Sequence, residues 1–323
     1  MKIAIVKLSA LGDIIHSAFV LQFIKEKIPD IQIDWIVEEG FSSILENNPH
    51  VDEIKTVNLK AIKSDKKAII SEIKKIRSFG SYDLVIDFQG LIKSAIVSKL
   101  LSKNIAGFDK NSTREGIASL FYTKGYDIPY DLNTIDRYRL LASKALDIEI
   151  SKDEVMKKEP YMLYKDDITL SSKANIIFII GANWKSRVYP KELLLEVANS
   201  LEANILIPYG NSEEKTVGEW LEKNSKNITL LPKMNLNALK ATISKADLLI
   251  GNDTGPSYIA WANNVPSIIL FGPTPTSRIY ESGISKTLKS PSKIDHFKLD
   301  KNDFSIKEID PKEIIKLAKE LLC

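Results

Sequence analysis

Cysteine is all but missing from this 323-residue chain: the only one is the last residue, Cys323. An intrachain disulfide framework is thereby excluded, and a reducing compartment, the cytoplasm, is the expected location. Histidine is almost as scarce. His16, His50 and His296 lie far apart and show no ligand spacing with one another or with the cysteine, so no structural metal is expected. No apolar run approaches the length of a membrane span. The first, Ile3 to Val6, is broken by Lys7 and stops at Gly12-Asp13, short of a signal-peptide core, so any membrane contact is expected to be peripheral. Neither sign of charge dominates. Lys plus Arg number 45 against 42 Asp plus Glu, and a net +3 gives no global case for nucleic acid as a partner.

What is present is an ordinary globular balance, 44% hydrophobic and 27% charged, in a chain long enough for roughly two domains. Short apolar runs alternate with helical periodicity. Lys2 to Leu8, Ile31 to Val37, Ile54 to Val57 and Leu84 to Ile86 read as strands, with helices near Ala68 to Phe79 and Leu91 to Leu101, and with Ile15, Phe19 and Phe23 on one face of an earlier helix. Such alternation predicts an α/β protein with a doubly wound parallel sheet. Between Asp147 and Lys173 the pattern dissolves into charged sequence, including Ser151-Lys152-Asp153-Glu154, where the domain connection is expected. It resumes with Ile176 to Ile180, Ile205 to Pro208, Ile228 to Leu231, Leu248 to Ile250 and Ser267 to Phe271, and closes with an amphipathic helix over Pro311 to Leu322.

Chemistry is concentrated where strands end. Leu248 to Ile250 runs into Gly251-Asn252-Asp253-Thr254-Gly255-Pro256-Ser257. Pro256 suits a first helical position, with Thr254 or Gly255 as the cap, and such a helix end attracts phosphate through its amides and dipole. Asp253 would repel a bare phosphate unless it faced a sugar hydroxyl or capped amides, so the turn favours a nucleotide-sugar. Asp-x-Asp, by which many sugar-nucleotide enzymes hold a divalent ion, does not occur. Any diphosphate would then be held by helix ends and cations. Lys185 and Arg187, in the run Gly181 to Pro190, supply such cations beside small residues that let backbone approach a ligand. Glu214, in Tyr209-Gly210-Asn211-Ser212-Glu213-Glu214, fits either a ribose contact or a capped, acid-rich helical turn. Ser9-Ala10-Leu11-Gly12-Asp13 follows the first strand but is no Gly-x-Gly-x-x-Gly, which weakens an oxidoreductase reading. Local sequence alone makes Asp13 the N-cap of the following helix.

Taken together and in order, five blocks resemble the lipopolysaccharide heptosyltransferases over nearly the whole chain. They are Lys7 to Asp13, Asp87 to Ser94, Gly107-Phe108-Asp109 with Ser112 and Arg114-Glu115, Gly181 to Pro190, and Asn252 to Ser257. The resemblance implies two Rossmann-like, doubly wound domains facing a central cleft, the GT-B architecture. Residues 1–155 would bind the acceptor and 156–308 the ADP-heptose donor, while residues 309–323, the terminal helix, are expected to pack back on the first domain. It implies inverting transfer of heptose from ADP-heptose to the Kdo sugar of Kdo-lipid A, with Asp13 as general base, Arg187 on the leaving ADP, and no cofactor or metal. Gly12, Gly181, Asn183, Arg187, Glu214, Asp253, Thr254, Gly255 and Ser257 would line the donor, and Ser9, Gln89, Lys93 and Arg114 the acceptor. Arg187 stands where the family usually has lysine, Asn183 where threonine or serine is common, and Tyr258 where histidine often follows. Addition of the second heptose, a UDP-linked donor and a non-catalytic nucleotide-sugar-binding module are the alternatives.

One local charge excess remains. From Lys55 to Arg77 eight Lys and Arg face only Asp65 and Glu72. Such a run is usually a solvated face. The implied acceptor carries carboxylates and phosphates, however, so Lys60 and Lys63 are expected to join Arg114 in binding its anions, with neighbouring lysines at the cytoplasmic face of the inner membrane.

Overall fold

Isoleucine, valine and leucine fill the central strands, as parallel sheets covered on both faces require. The computed structural model describes residues 1–59, 66–165, 168–171 and 173–323, which fall into two units, Met1–Tyr161 and Met162–Cys323. The first holds β1 (Lys2–Val6), β2 (Gln32–Glu38), β3 (Glu53–Val57), β4 (Leu84–Asp87), β5 (Ile105–Phe108) and β6 (Lys124–Tyr126), ordered β3-β2-β1-β4-β5-β6 and parallel throughout. The second holds β7 (Asn175–Ile179), β8 (Asn204–Ile207), β9 (Ile228–Leu230), β10 (Leu248–Asn252), β11 (Ser267–Phe271) and β12 (Ser285–Lys289), ordered β12-β11-β10-β7-β8-β9, again all parallel. Both are doubly wound sheets, as the alternation predicts.

Three strands escape a reading by hydrophobic runs. β5 is four residues long and contains a glycine, β6 is a partly exposed edge, and β12 is a half-buried edge reading Ser-Lys-Thr-Leu-Lys. The edges β6 and β12 need apolar side chains on fewer sides, so the run that marks a central strand is absent, while β5, interior and buried, is too short to make one.

The boundary lies beyond the expected residue 155. Ser151 and Glu154, taken in sequence for linker, form a capping box: the Ser151 hydroxyl accepts from Glu154 N at 3.2 Å and the Glu154 carboxylate from Ser151 N at 2.6 Å. They start the helix Lys152–Met156, which Lys27 ties to the first unit through Glu154 at 2.6 Å. Tyr161 closes that unit, donating its hydroxyl to Ile15 O at 3.0 Å.

The C-terminal helix Pro311–Leu322 starts with Asp310 accepting from Lys312 N at 2.9 Å. Its apolar stripe, expected to pack on the first unit, is buried within the second. Ile314 and Ala318 are fully buried in the core of the second unit, with the helix Lys191–Asn199 and strands β10 and β11. Amphipathic spacing shows that a helix has a buried face and leaves the partner unspecified. Ile314→Ala should therefore destabilise the second unit by about 2–4 kcal/mol, the usual cost of a core cavity. Urea unfolding followed by separate probes should show the second unit's transition move and the first unit's stay.

Candidate active site

In each sheet the strand order reverses between two central neighbours, β1 and β4 in the first and β7 and β10 in the second. Open α/β sheets take ligands at the carboxyl ends of such neighbours.

In the first unit the loop leaving β1 is held from both sides. Trp35 Nε1, on β2, donates to Lys7 O at 3.2 Å, and the buried Lys7 ammonium donates to Phe88 O at 3.3 Å, just past β4. Gln89 Oε1 accepts from both Leu8 N and Ser9 N, each at 3.1 Å. Gln89 is itself fixed by Asp87, whose carboxylate accepts from Gln89 N at 2.8 Å, Gly90 N at 3.1 Å, and the Ser94 and Tyr122 hydroxyls at 2.8 Å. Burial pushes the Asp87 carboxyl above its usual range in spite of those donors. Gly90 sits at φ +67, where an added Cβ would also press on the Thr113 hydroxyl at 2.8 Å, so this turn needs glycine. Lys93, on the helix Ile92–Leu101, donates to the Ser9 hydroxyl at 3.2 Å.

Asp13 is half-buried at the third position of the helix Leu11–Ala18, and Ala10 occupies the cap. The capping expectation is therefore corrected. Asp13 reaches back toward Ala10 N only at 3.5 Å. Burial opposes the charge on Lys7, but Tyr138, Asp13 and Asp87 outweigh it and hold the ammonium above its ordinary value. The carboxylate of Asp13 thus lies within the influence of the Lys7 ammonium.

In the second unit Asn252, the last residue of β10, stitches the loop after β7. Its Nδ2 donates to Ile180 O at 2.9 Å, and its Oδ1 accepts from Tyr189 N at 3.1 Å. Arg187, in a single 3-10 turn Lys185–Arg187, lies 4.0 Å over the Trp184 ring and 3.4 Å from the Asp253 carboxylate. Its buried Nε has no hydrogen-bond partner among the described residues. Within the protein the Asp253 carboxylate meets side-chain hydroxyls rather than a row of backbone amides. It is 3% exposed and accepts from the Tyr258 hydroxyl and, at 2.5 Å, from the Thr274 hydroxyl. It is thus an anchor for Arg187. Burial, and then the Asp253 charge, push the Tyr258 hydroxyl well above the ordinary tyrosine range, so it stays a donor.

The helix after the β10 turn is Ser257–Ala262, only six residues, with Pro256 at the cap. Thr254 O and Gly255 O accept from Ser257 N and Tyr258 N, each at 3.1 Å, and the Ser257 hydroxyl donates to Asn252 O at 2.7 Å. So short a helix has little summed dipole, and anion binding there rests on individual amides and on Arg187. Beside the loop after β7 lies a cavity of about 250 Å³, lined by Ile180, Tyr189, Leu194, Val217, Asn211 and Glu214. Glu214 accepts from Gly210 N at 2.7 Å and Asn211 Nδ2 at 2.8 Å, in the first turn of the helix Ser212–Asn224. Its carboxylate also fills the space a side chain at Gly181 would need. Lys185 is exposed and pairs loosely with Glu213 at 3.8 Å.

A family model described as glycosyltransferase family 9 (heptosyltransferase) matches residues 70–296. The chain is 40% identical over 99% of both lengths to the lipopolysaccharide heptosyltransferase 1 of Campylobacter coli. The chain belongs to glycosyltransferase family 9. It is 31% identical to lipopolysaccharide heptosyltransferase 1 of Pseudomonas aeruginosa over 85% of this chain and 79% of that one. The E. coli heptosyltransferase WaaC solved with ADP superposes with TM-score 0.83 at 25% identity, covering 99% of this chain and 100% of that one. The chain is therefore a glycosyltransferase of GT-B fold.

Within this family-9 frame, Ser9, Gly12, Asp13, Gln89 and Lys93 lie on the loops that leave β1 and β4 and in the first turns of the helices that follow them. Gly181, Arg187, Glu214, Asp253, Thr254, Gly255 and Ser257 cluster around the β7 and β10 ends of the second. Asn183 and Arg114 are exposed near these clusters' rims, in the loops after β7 and β5. Lys60 and Lys63 lie outside the described residues. Trp184 and Thr274 carry the Arg187 arrangement and were not singled out by sequence, because an aromatic platform and a remote hydroxyl leave no motif. Gln89→Leu removes the acceptor for two loop amides, each costing about 1–3 kcal/mol when left buried and unpaired. It should lower turnover well beyond its effect on nucleotide affinity, measured side by side by rate assay and titration calorimetry.

Proposed function

We propose that this enzyme transfers L-glycero-D-manno-heptose from ADP-heptose to the Kdo residue of Kdo-lipid A, inverting the anomeric centre, at the cytoplasmic face of the inner membrane. The observation that carries this reading is Arg187, stacked on Trp184 and anchored by Asp253 beside the β10 turn, next to the Glu214-lined cavity. The cavity's apolar lining suits a purine, and Glu214 suits ribose hydroxyls. Arg187 and the amides of Thr254 and Gly255 suit a diphosphate, with Ser257 bracing their turn, Gly181 making room for Glu214 and Asn183 exposed in the loop beside them. On the acceptor side Ser9, Gln89, Lys93 and Arg114, with Lys60 and Lys63, would hold a Kdo carboxylate and the lipid A phosphates.

In the reaction the acceptor hydroxyl oxygen forms a bond to the anomeric carbon as the bond from that carbon to the diphosphate oxygen breaks. The hydroxyl proton passes to Asp13, which acts as general base. The electron pair leaves with ADP, whose growing charge is met by Arg187 and the turn amides. No step requires a metal.

Asp13→Asn should leave ADP binding intact and lower turnover by about 10²- to 10⁴-fold, the usual worth of a positioned base. Wild-type turnover in that variant would remove Asp13 from the chemistry.

For the donor, Arg187→Ala should weaken ADP-heptose binding and slow transfer, and Arg187→Lys should restore most of the loss. A thermal-shift series with ADP, UDP and NAD should favour ADP, since a ligand at 100 times its Kd stabilises by roughly 2.7 kcal/mol. Transfer should persist in chelator. Activity lost in EDTA and restored by magnesium would overturn the metal-free scheme.

A further inference from the structure

The outer face of the first unit carries exposed aliphatic side chains in an ordered setting. On the helix Ile92–Leu101 the exposed positions are Ile92, Lys93, Ile96 and Lys99, a single stripe at helical spacing that alternates aliphatic and cationic residues. The helix Lys66–Arg77 packs beside it and repeats the pattern with Ile70, Lys74 and Arg77. On the other flank sits the 3-10 segment Gly116–Phe121, with Ile117 62% and Leu120 81% exposed. Soluble surfaces scatter such residues singly, and five on three adjoining elements form a patch.

Charge identifies what the patch meets. Neither Ile92–Leu101 nor Gly116–Phe121 contains an acidic residue, and Glu72, the only acid on Lys66–Arg77, is buried. Lys103, Lys110, Arg114 and Lys124 are exposed in the adjoining loops and in β6, against the exposed acid Glu115, whose carboxylate is taken up by Ile92 N. Aliphatic side chains interleaved with lysine and arginine match the boundary between acyl chains and anionic headgroups. Each such cation near an anionic leaflet adds attraction on the order of 1 kcal/mol. A protein partner would need compensating acids and shape, whereas a lipid surface needs only this mixture.

The patch is also continuous with the acceptor loop. Ile92 N donates to the Glu115 carboxylate at 2.8 Å, the Thr113 hydroxyl donates to Gly90 O, and Lys93 reaches the Ser9 hydroxyl at 3.2 Å. We infer that Ile70, Ile96, Ile117 and Leu120, with their flanking lysines, seat the first unit on an anionic bilayer, so that a lipid-borne acceptor is presented to the Ser9 loop. This rests on the proposed acceptor, but the binding itself does not.

Flotation of the full chain with vesicles of 70% phosphatidylcholine and 30% phosphatidylglycerol, and with pure phosphatidylcholine, tests it. Wild type should bind the anionic vesicles, more weakly at high salt. The triple variant Ile96→Ser, Ile117→Ser, Leu120→Ser should lose about tenfold or more in vesicle affinity. Lys99→Ala with Lys103→Ala and Lys124→Ala should abolish the preference for anionic vesicles. Both should melt like wild type and glycosylate a delipidated, water-soluble acceptor at the wild-type rate, while slowing about tenfold on acceptor embedded in vesicles. Vesicle binding that is absent in wild type, or unchanged in both variants, overturns the assignment. So does a triple variant that turns from dimer to monomer with vesicle binding intact, which gives the face to a second copy. Vesicle binding as expected with no transfer to either acceptor would sustain the surface and defeat the proposed function.

Discussion

Two carboxamides hold the geometry on which everything else depends. Where a parallel sheet reverses its strand order, the backbone leaving the central strand has no neighbouring strand to pair with, and its polar groups must be satisfied another way. Gln89 does this in the first unit by accepting from Leu8 N and Ser9 N, and Asn252 does it in the second by bonding Ile180 O and Tyr189 N. In each case the side chain comes from the end of the strand across the switch point. A neutral amide can offer both donor and acceptor there without adding a charge.

Charge is then placed on top of those frames in opposite ways. In the first unit a carboxylate, Asp13, lies within the influence of the buried Lys7 ammonium. In the second a guanidinium is matched against the buried carboxylate of Asp253, which two hydroxyls also satisfy. Neither charge is isolated, as the cost of burying unpaired ions demands. The Trp184 ring under Arg187 adds a face that is attractive to a cation and needs no water.

The central strands were legible because two-sided burial writes itself as continuous apolar residues, and the terminal helix because its stripe is regular and its proline start is unambiguous. The edge strands β6 and β12 were not legible, since an edge buries less, and the interior β5 was missed because four residues with a glycine make no run. Ser151 and Glu154 looked like linker because a capping box and a solvated loop use the same residues. Asp13 shows the same ambiguity from the other side. Asp ahead of an apolar helix suggests a cap, and only the backbone reveals that Ala10 holds that position. The blocks that carry the site were readable through their resemblance to a family, while the partners of Arg187 were not. Thr274 is 21 residues from Asp253, and no spacing rule links them.

If Arg187 holds the leaving nucleotide as proposed, its pairing with Asp253 bears on how the enzyme lets go of its product. An arginine with no counter-charge would grip a nucleoside diphosphate hardest after transfer, when the negative charge is fully developed, and would make departure the slow event. Here the guanidinium always has a fallback partner 3.4 Å away. Any anion must compete with that carboxylate, so binding the spent nucleotide gains less than the bare charges suggest. On the proposed donor reading Asp253 would thereby act as a built-in exit term, trading affinity for turnover, and susceptibility to product inhibition would be set by the residue behind the guanidinium.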